Sequence, residues 1–199
     1  MPTILLIAAT INNLILFVKE SRNMEYLSTM AEWMAEEAEM RANLSEPGVA
    51  TREQLSSRSG LEFLQAIGSG ELPPPPIGAL MGFVPIKVEP GLMVFQGTPG
   101  KEHYNPSGAV HGGYAATLLD SAVGCAVHSM LPQGKGFTTL ELKINYLRAL
   151  TDQTGPVRAE GKVITVGGQV AVAEGRITDA NGKLYAYAST TCLVFPIPA

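Results

Sequence analysis

Two cysteines, three histidines and one tryptophan among 199 residues, with only 16% charged side chains, leave several classes of protein without their raw material. Cys125 and Cys192 stand far apart and form no CxxC pair, so neither a disulfide framework nor a zinc site has its ligands. His103, His111 and His128 lack metal-ligand spacing, and no metal and no separate cofactor is expected. No basic block occurs, and a net charge of −4 excludes the electrostatic footprint of a nucleic-acid binder. No internal repeat is present. Unpaired thiols and the lack of a convincing secretory leader fit a reducing cytoplasm.

What is present is apolar: 46% hydrophobic residues, in a chain long enough for one domain with a real core plus an extension. Residues 2–18 are uncharged and mostly apolar, slightly short for a bilayer span of roughly 20 residues, with Asn12 and Asn13 in the middle. Residues 1–23 therefore carry three readings: an extension upstream of a native start at Met24, a peripheral or partner-binding helix, or a membrane contact. Residues 24–76 read as a helical arm and connector. In it Met24, Leu27, Met30, Met34 and Ala38 recur at helical steps as a packing stripe opposite an acidic face. Pro47-Gly48 breaks that helix, residues 59–68 form a short amphipathic one ended by Gly68, and Pro73–Pro76 make a stiff extended connector.

Residues 77–199 form the third segment, which is mostly β. Residues 83–89 and 92–98 predict a hairpin around Pro90-Gly91. Residues 138–148 alternate, with Leu140, Leu142, Ile144 and Tyr146 on one face and Thr139, Glu141, Lys143 and Asn145 on the other. Strands at 157–166 and 169–178 flank Gly167-Gly168, and a turn at 179–182 leads to a last strand at 184–195. Ahead of these strands lies a helix that begins after the turn-forming run Asn105–Gly108. Tyr114, Leu118, Ala122 and Cys125 recur along it, with Ala115, Leu119 and Ala126 beside them, which predicts a helix buried on nearly all sides. Between Glu102 and Lys135 the only formal charge is Asp120. A lone buried carboxylate costs several kcal/mol unless compensated or used, so Asp120 is the leading functional candidate. His128 and Cys125 read as core. The pattern predicts an α+β domain, with an antiparallel sheet wrapped around one long helix.

Asn105, Gly108, Val110, His111, Gly112, Gly113, Leu118 and Asp120, followed by Thr138, Thr139, Leu140, Leu142, Ile144, Tyr146 and Arg148, make a motif that resembles the PaaI-like acyl-CoA thioesterases of the hotdog superfamily. The similarity runs from about residue 77 to 194 and takes in the segment 178–184. The resemblance implies hydrolysis of an acyl-CoA to a carboxylic acid and CoA without a metal, CoA arriving as part of the substrate. It places the catalytic carboxylate on Asp120, the backbone donor to the thioester carbonyl on Gly112, the positioning amide on Asn105 and the hydroxyl facing the carboxylate on Thr139. His111 stands beside this set, its reading as a group that caps or bonds the preceding loop set against that of a general base. CoA contacts fall on Tyr146, Leu147 and Arg148 and on the hairpin Val166, Gly167, Gly168 and Gln169. Arg148 is the natural phosphate partner there. The chain departs from the pattern at Gly168-Gln169, where relatives carry a basic residue.

The residues agree with that chemistry. A helix N-terminus offers unpaired N–H groups and a positive dipole end, so Gly112 and Gly113 suit an oxyanion site. Asp120 serves either as nucleophile or as general base. Gly112 and Asp120 lie eight positions apart, about 12 Å along one helix, whereas a reacting carbonyl sits about 3 Å from both its donor and its nucleophile. A homodimer with a shared site resolves this, as the resemblance also implies, and leaves open whether two such dimers pair into a tetramer. The competing function is a non-catalytic hotdog acyl-CoA sensor with residues 24–76 as its regulatory arm.

Overall fold

A computed structural model describes residues 2–197, with side chains described from residue 19 onward except that of Arg22. Its first helix, α1, runs from Pro2 to Asn43 without a break at position 24. What residues 2–18 pack against lies outside the described side chains. Among the described residues no helix is long and apolar enough to cross a membrane.

The central helix α5 spans Gly112–His128. Tyr114, Ala115, Leu118, Leu119, Ala122, Val123 and Ala126 are all buried, which follows from apolar residues at three- and four-residue steps. They pack on a six-stranded antiparallel sheet: β1 (Phe83–Glu89), β2 (Leu92–Gly97), β3 (Lys135–Tyr146), β4 (Val157–Val166), β5 (Val170–Asp179) and β6 (Leu184–Pro196). The spatial order is β1-β2-β4-β5-β6-β3, so β3 is an edge strand. Helix and sheet meet closely at Gly161, where a Cβ would stand 2.2 Å from the Ala122 carbonyl oxygen. Only glycine fits that contact. The expected α+β architecture and its hairpins are present, with Gly91 and Gly182 at φ 76° and 72° turning two of them.

Four expectations need correction. Asp120 is exposed, not buried. One face of α5 takes the sheet, and the opposite face (Gly113, Thr117, Asp120, Ser121) remains at the surface of the single chain, built of small and polar residues. Leu140 does not share a face with Leu142 and Ile144. The β3–β6 register slips between Thr139 and Glu141, and this bulge leaves Leu140 58% exposed. The stripe of Met24, Leu27 and Met34 is also exposed. Of that stripe Met30 is half-buried, and the face of α1 that packs is rotated about it, through Tyr26, Trp33, Glu37 and Met40. Gln96 on β2, fully buried, decides the register by donating to the Trp33 carbonyl (2.9 Å) and Glu37 (2.8 Å). Arg158 of β4 donates to Gln96 (2.8 Å), pairs with Glu36 and lies 4.2 Å from the Trp33 ring centroid. Finally, Pro76 is not connector but the first residue of helix α4 (Pro76–Met81), where a fixed φ and a missing N–H cost nothing.

Two further short helices, α2 (Arg52–Ser56) and α3 (Gly60–Gly68), each start with a capping box, Thr51 with Gln54 and Ser59 with Glu62. Helix α3 butts against the end of α5: Gly60 N–H donates to Leu131 O at 3.0 Å, and a Cβ on Gly60 would collide with the His128 carbonyl oxygen. There the His128 ring sits 5.4 Å from both Phe63 and Phe137. Burial holds its pKa down at about 4, from an ordinary 6.5. The unfolded chain therefore binds the proton first as pH falls. Stability is full above about pH 6.5 and declines between there and pH 4, by on the order of 3 kcal/mol, then levels. Urea midpoints measured across that window should fall for the native chain, and His128→Gln should flatten the decline.

Candidate active site

The loop ahead of α5 is ordered by Asn105. Its side-chain oxygen accepts from the N–H groups of Ser107 (2.9 Å) and Ala109 (3.3 Å), and its own N–H donates to Ala109 O (2.8 Å). This Asx turn uses the carbonyl end of the amide, leaving the NH2 end as the group that can position a ligand. His111 follows as the N-cap of α5, with Nδ1 accepting from Gly113 N–H at 2.9 Å. That bond fixes Nδ1 as an acceptor and consumes one of the helix's open donors. The Gly112 N–H has no acceptor among the described residues and stands at the positive end of α5, whose first turn holds no acidic residue. His111 thus has the capping role in this chain.

Tyr146, at the end of β3, lies over this donor. Its hydroxyl donates to Gly112 O at 3.2 Å, and a Cβ on Gly112 would stand 3.2 Å from the ring. Asn105, Gly112, Tyr146, Leu147 and Arg148 line one cavity of about 350 Å³, backed by Val110, Leu150 and Tyr185. Tyr185 went unnoticed in the sequence. It is held by a hydrogen bond of 3.1 Å to Asp179, a buried acid at the end of β5. No local pattern announces that pair; only the strand return brings it to the cavity. Arg148 donates to Leu184 O from one Nη and is otherwise exposed at the rim.

Asp120 and Thr139 form a second group. Thr139 Oγ1 donates to Asp120 Oδ1 at 2.9 Å, and the other carboxylate oxygen has no partner among the described residues. One turn on, the Cys125 thiol is pushed up to about 12 by burial and, secondarily, by the charge of Asp120, so it is no nucleophile near neutral pH. Val166, Gly167, Gly168 and Gln169 make the β4–β5 turn and do not line the cavity around Gly112. Register puts that turn with the second group: Val166 pairs with Ala171, Ala171 with Cys192, and Cys192 with Thr139. The expected residues thus fall into two clusters on one chain. Asn105, His111, Gly112 and Tyr146–Arg148 form one; Asp120, Thr139 and the 166–169 turn form the other. Among the described residues no three His, Cys, Asp or Glu side chains converge to hold a metal ion.

One long helix lying across a six-stranded antiparallel sheet is the architecture that the motif's resemblance implied. The family model of the thioesterase superfamily matches residues 107–186. A Saccharolobus solfataricus protein provisionally named an esterase is 38% identical over 107 residues, which are 52% of this chain and 71% of that protein. The chain belongs to the thioesterase superfamily and has the hotdog fold. It covers between 47% and 71% of the length of the curated relatives it matches, and only about half of the first of them. Among solved structures, a Ralstonia eutropha phenylacetic acid degradation-related protein, provisionally named a thioesterase, superposes with a TM-score of 0.59 at 27% identity, covering 68% of this chain and 98% of that one. A Streptococcus mutans protein solved with acetyl CoA bound gives 0.54 at 25% identity, covering 59% and 92%.

Proposed function

We propose that the protein hydrolyses an acyl-CoA thioester to a carboxylic acid and free CoA, in homodimers whose sites are each shared by two subunits. The observation that carries this reading is the division of the site residues into two clusters on one chain. The Gly112 cluster has a donor and a cavity but no carboxylate. The Asp120 cluster has a carboxylate, held by Thr139 with one oxygen open, but no oxyanion donor. Eight residues of helix separate them by about 12 Å, so neither works alone on one carbonyl. A two-fold axis beside the exposed Gly113–Asp120 face sets Asp120 of one subunit at Gly112 of the other. The same operation brings the partner's 166–169 turn to the cavity edged by Tyr146 and Arg148, which gathers every expected CoA contact at one site. Edge strand β3, lying beside both clusters, is the natural seam.

In the proposed reaction the Gly112 N–H takes the carbonyl oxygen as it gains charge. The Asp120 carboxylate either attacks the carbonyl carbon, giving an anhydride that water then opens, or removes a proton from the attacking water. In both routes the C–S bond breaks, the thiolate takes up a proton, and no cofactor takes part. The acetyl-CoA-bound relative and the Arg148 guanidinium at the rim favour CoA as the leaving group. Pairing of dimers into a tetramer belongs to the same proposal, as does a cytoplasmic location.

Release of free CoA from a panel of acyl-CoAs tests it directly; no release from any of them would sink the reading in favour of a sensor. Thr139→Ala should lower kcat ten- to a hundredfold or so, with KM little changed, as for loss of a positioning hydroxyl.

A further inference from the structure

We propose that a second cavity, on the far side of His111, holds the acyl group of the substrate, and that Met81, from the segment ahead of the domain's first strand, sets how large that group can be. This rests on the function proposed above. The cavity has a volume of about 400 Å³ and is lined by Met81, Glu102, His103, Tyr104, Tyr114 and Thr117, with His111 and Gly113 at its border with the first. His111 is thus a partition. On one side lie Asn105, Gly112 and the Arg148 rim; on the other lies a wall of aromatic rings and one methionine. The rings are fixed. Tyr114 is 2% exposed and lies against His103, ring centroids 4.4 Å apart and tilted by 43°, and the Tyr104 hydroxyl donates to Asp152 at 2.7 Å.

A thioester carbonyl held at the Gly112 N–H has two substituents that diverge from its carbon. The sulfur arm carries phosphates, and the acyl arm is uncharged. The only formal charge lining the first cavity is the Arg148 cation, whereas the second bears a carboxylate, Glu102, beside its aromatic rings. Charge therefore sends the CoA arm to the first cavity and the acyl arm to the second. Methionine is the one flexible apolar chain in that wall, and its volume is what an acyl group would meet.

Met81 lies ahead of residues 107–186, which match the family model, and the arm fixes its place. Met81 ends α4, and Gly82 after it turns the chain at φ 71°. The Gly82 carbonyl accepts from Arg41 of α1 at 3.0 Å, and Arg41 is held by Glu37 at 2.7 Å. The arm thus acts as a strut for one wall of the acyl cavity, with Arg41 as a positioning residue.

The experiment measures kcat/KM for acetyl-, hexanoyl-, decanoyl- and phenylacetyl-CoA with the native chain, Met81→Ala, Met81→Trp and Arg41→Met. A single methylene in a snug pocket changes discrimination about tenfold or more. Met81→Trp should lower the ratio of decanoyl to acetyl turnover at least about tenfold, and Met81→Ala should raise it by a similar factor. Arg41→Met should move the same ratio while thermal unfolding stays cooperative, which a merely structural contact would not do. Activity on all four substrates that rises or falls together, or does not change, overturns the acyl-cavity assignment and leaves the hydrolase reading standing. No turnover of any acyl-CoA by the native chain overturns both.

Discussion

Asp120→Asn should remove at least about two orders of magnitude from kcat while leaving the fold intact, since loss of a nucleophile or base costs typically a hundredfold or more. The asparagine keeps the carboxylate's shape, and its side-chain oxygen can still accept from Thr139 Oγ1, now 2.9 Å from Asp120. Asp120 is exposed on the single chain, so its replacement creates no buried orphan; surface changes of this kind shift stability by about 0.5 kcal/mol or less. Affinity for an unreactive acyl-CoA analogue should also persist, because the donor at Gly112 and the rim at Arg148 belong to the other cluster. The decisive comparison is kcat against the thermal midpoint. A large loss in the first with little change in the second assigns Asp120 to the chemistry. Near-normal kcat would reduce it to a surface acid that anchors Thr139.

That exposure also shows where the sequence was a good guide and where it was not. Periodicity located α5 and the strands because apolar burial within one chain dictates both, and turn residues such as Gly91 and Gly182 marked the strand ends. The argument that singled out Asp120 nevertheless rested on burial that a single chain does not provide. The face bearing Gly113, Thr117, Asp120 and Ser121 reads as part of a buried helix because its residues are mostly small and uncharged, yet it stays at the surface of the single chain, where Asp120 is held by Thr139 of edge strand β3. The bulge at Leu140 was equally invisible, since strict alternation is what a sequence shows whether or not the register slips. On α1 the methionines drew attention, but the docked register follows from a polar contact. Gln96 is buried and needs partners, and the Trp33 carbonyl and Glu37 supply them. Residue types cannot reveal such a pairing across 59 and 63 positions. The 166–169 turn belongs with Asp120 rather than with Arg148 for a similar reason: only the pairing of β5 with β6 and of β6 with β3 carries it there.

Complementation between subunits should restore activity to two inactive variants. Asp120→Asn lacks the carboxylate but keeps the donor. Gly112→Val keeps the carboxylate but fills the donor's approach, because even a Cβ at that position would stand 3.2 Å from the Tyr146 ring. The ring must move and the branched side chain must occupy the space where the carbonyl oxygen would sit. Each homodimer is then dead at both sites. Co-refolded in equal amounts, half of the dimers are mixed. In a mixed dimer one site combines both lesions, and the other pairs the intact Gly112 of one chain with the intact Asp120 of its partner. Random pairing should therefore return about a quarter of wild-type activity, by the two-fold symmetry of a shared site. The recovered fraction should follow the product of the two chains' mole fractions, peaking at equal input, which separates complementation from a trace of contaminating native protein. Mixed dimers verified by differential tagging that recover nothing would mean donor and carboxylate act within one chain, and the shared site would have to be abandoned.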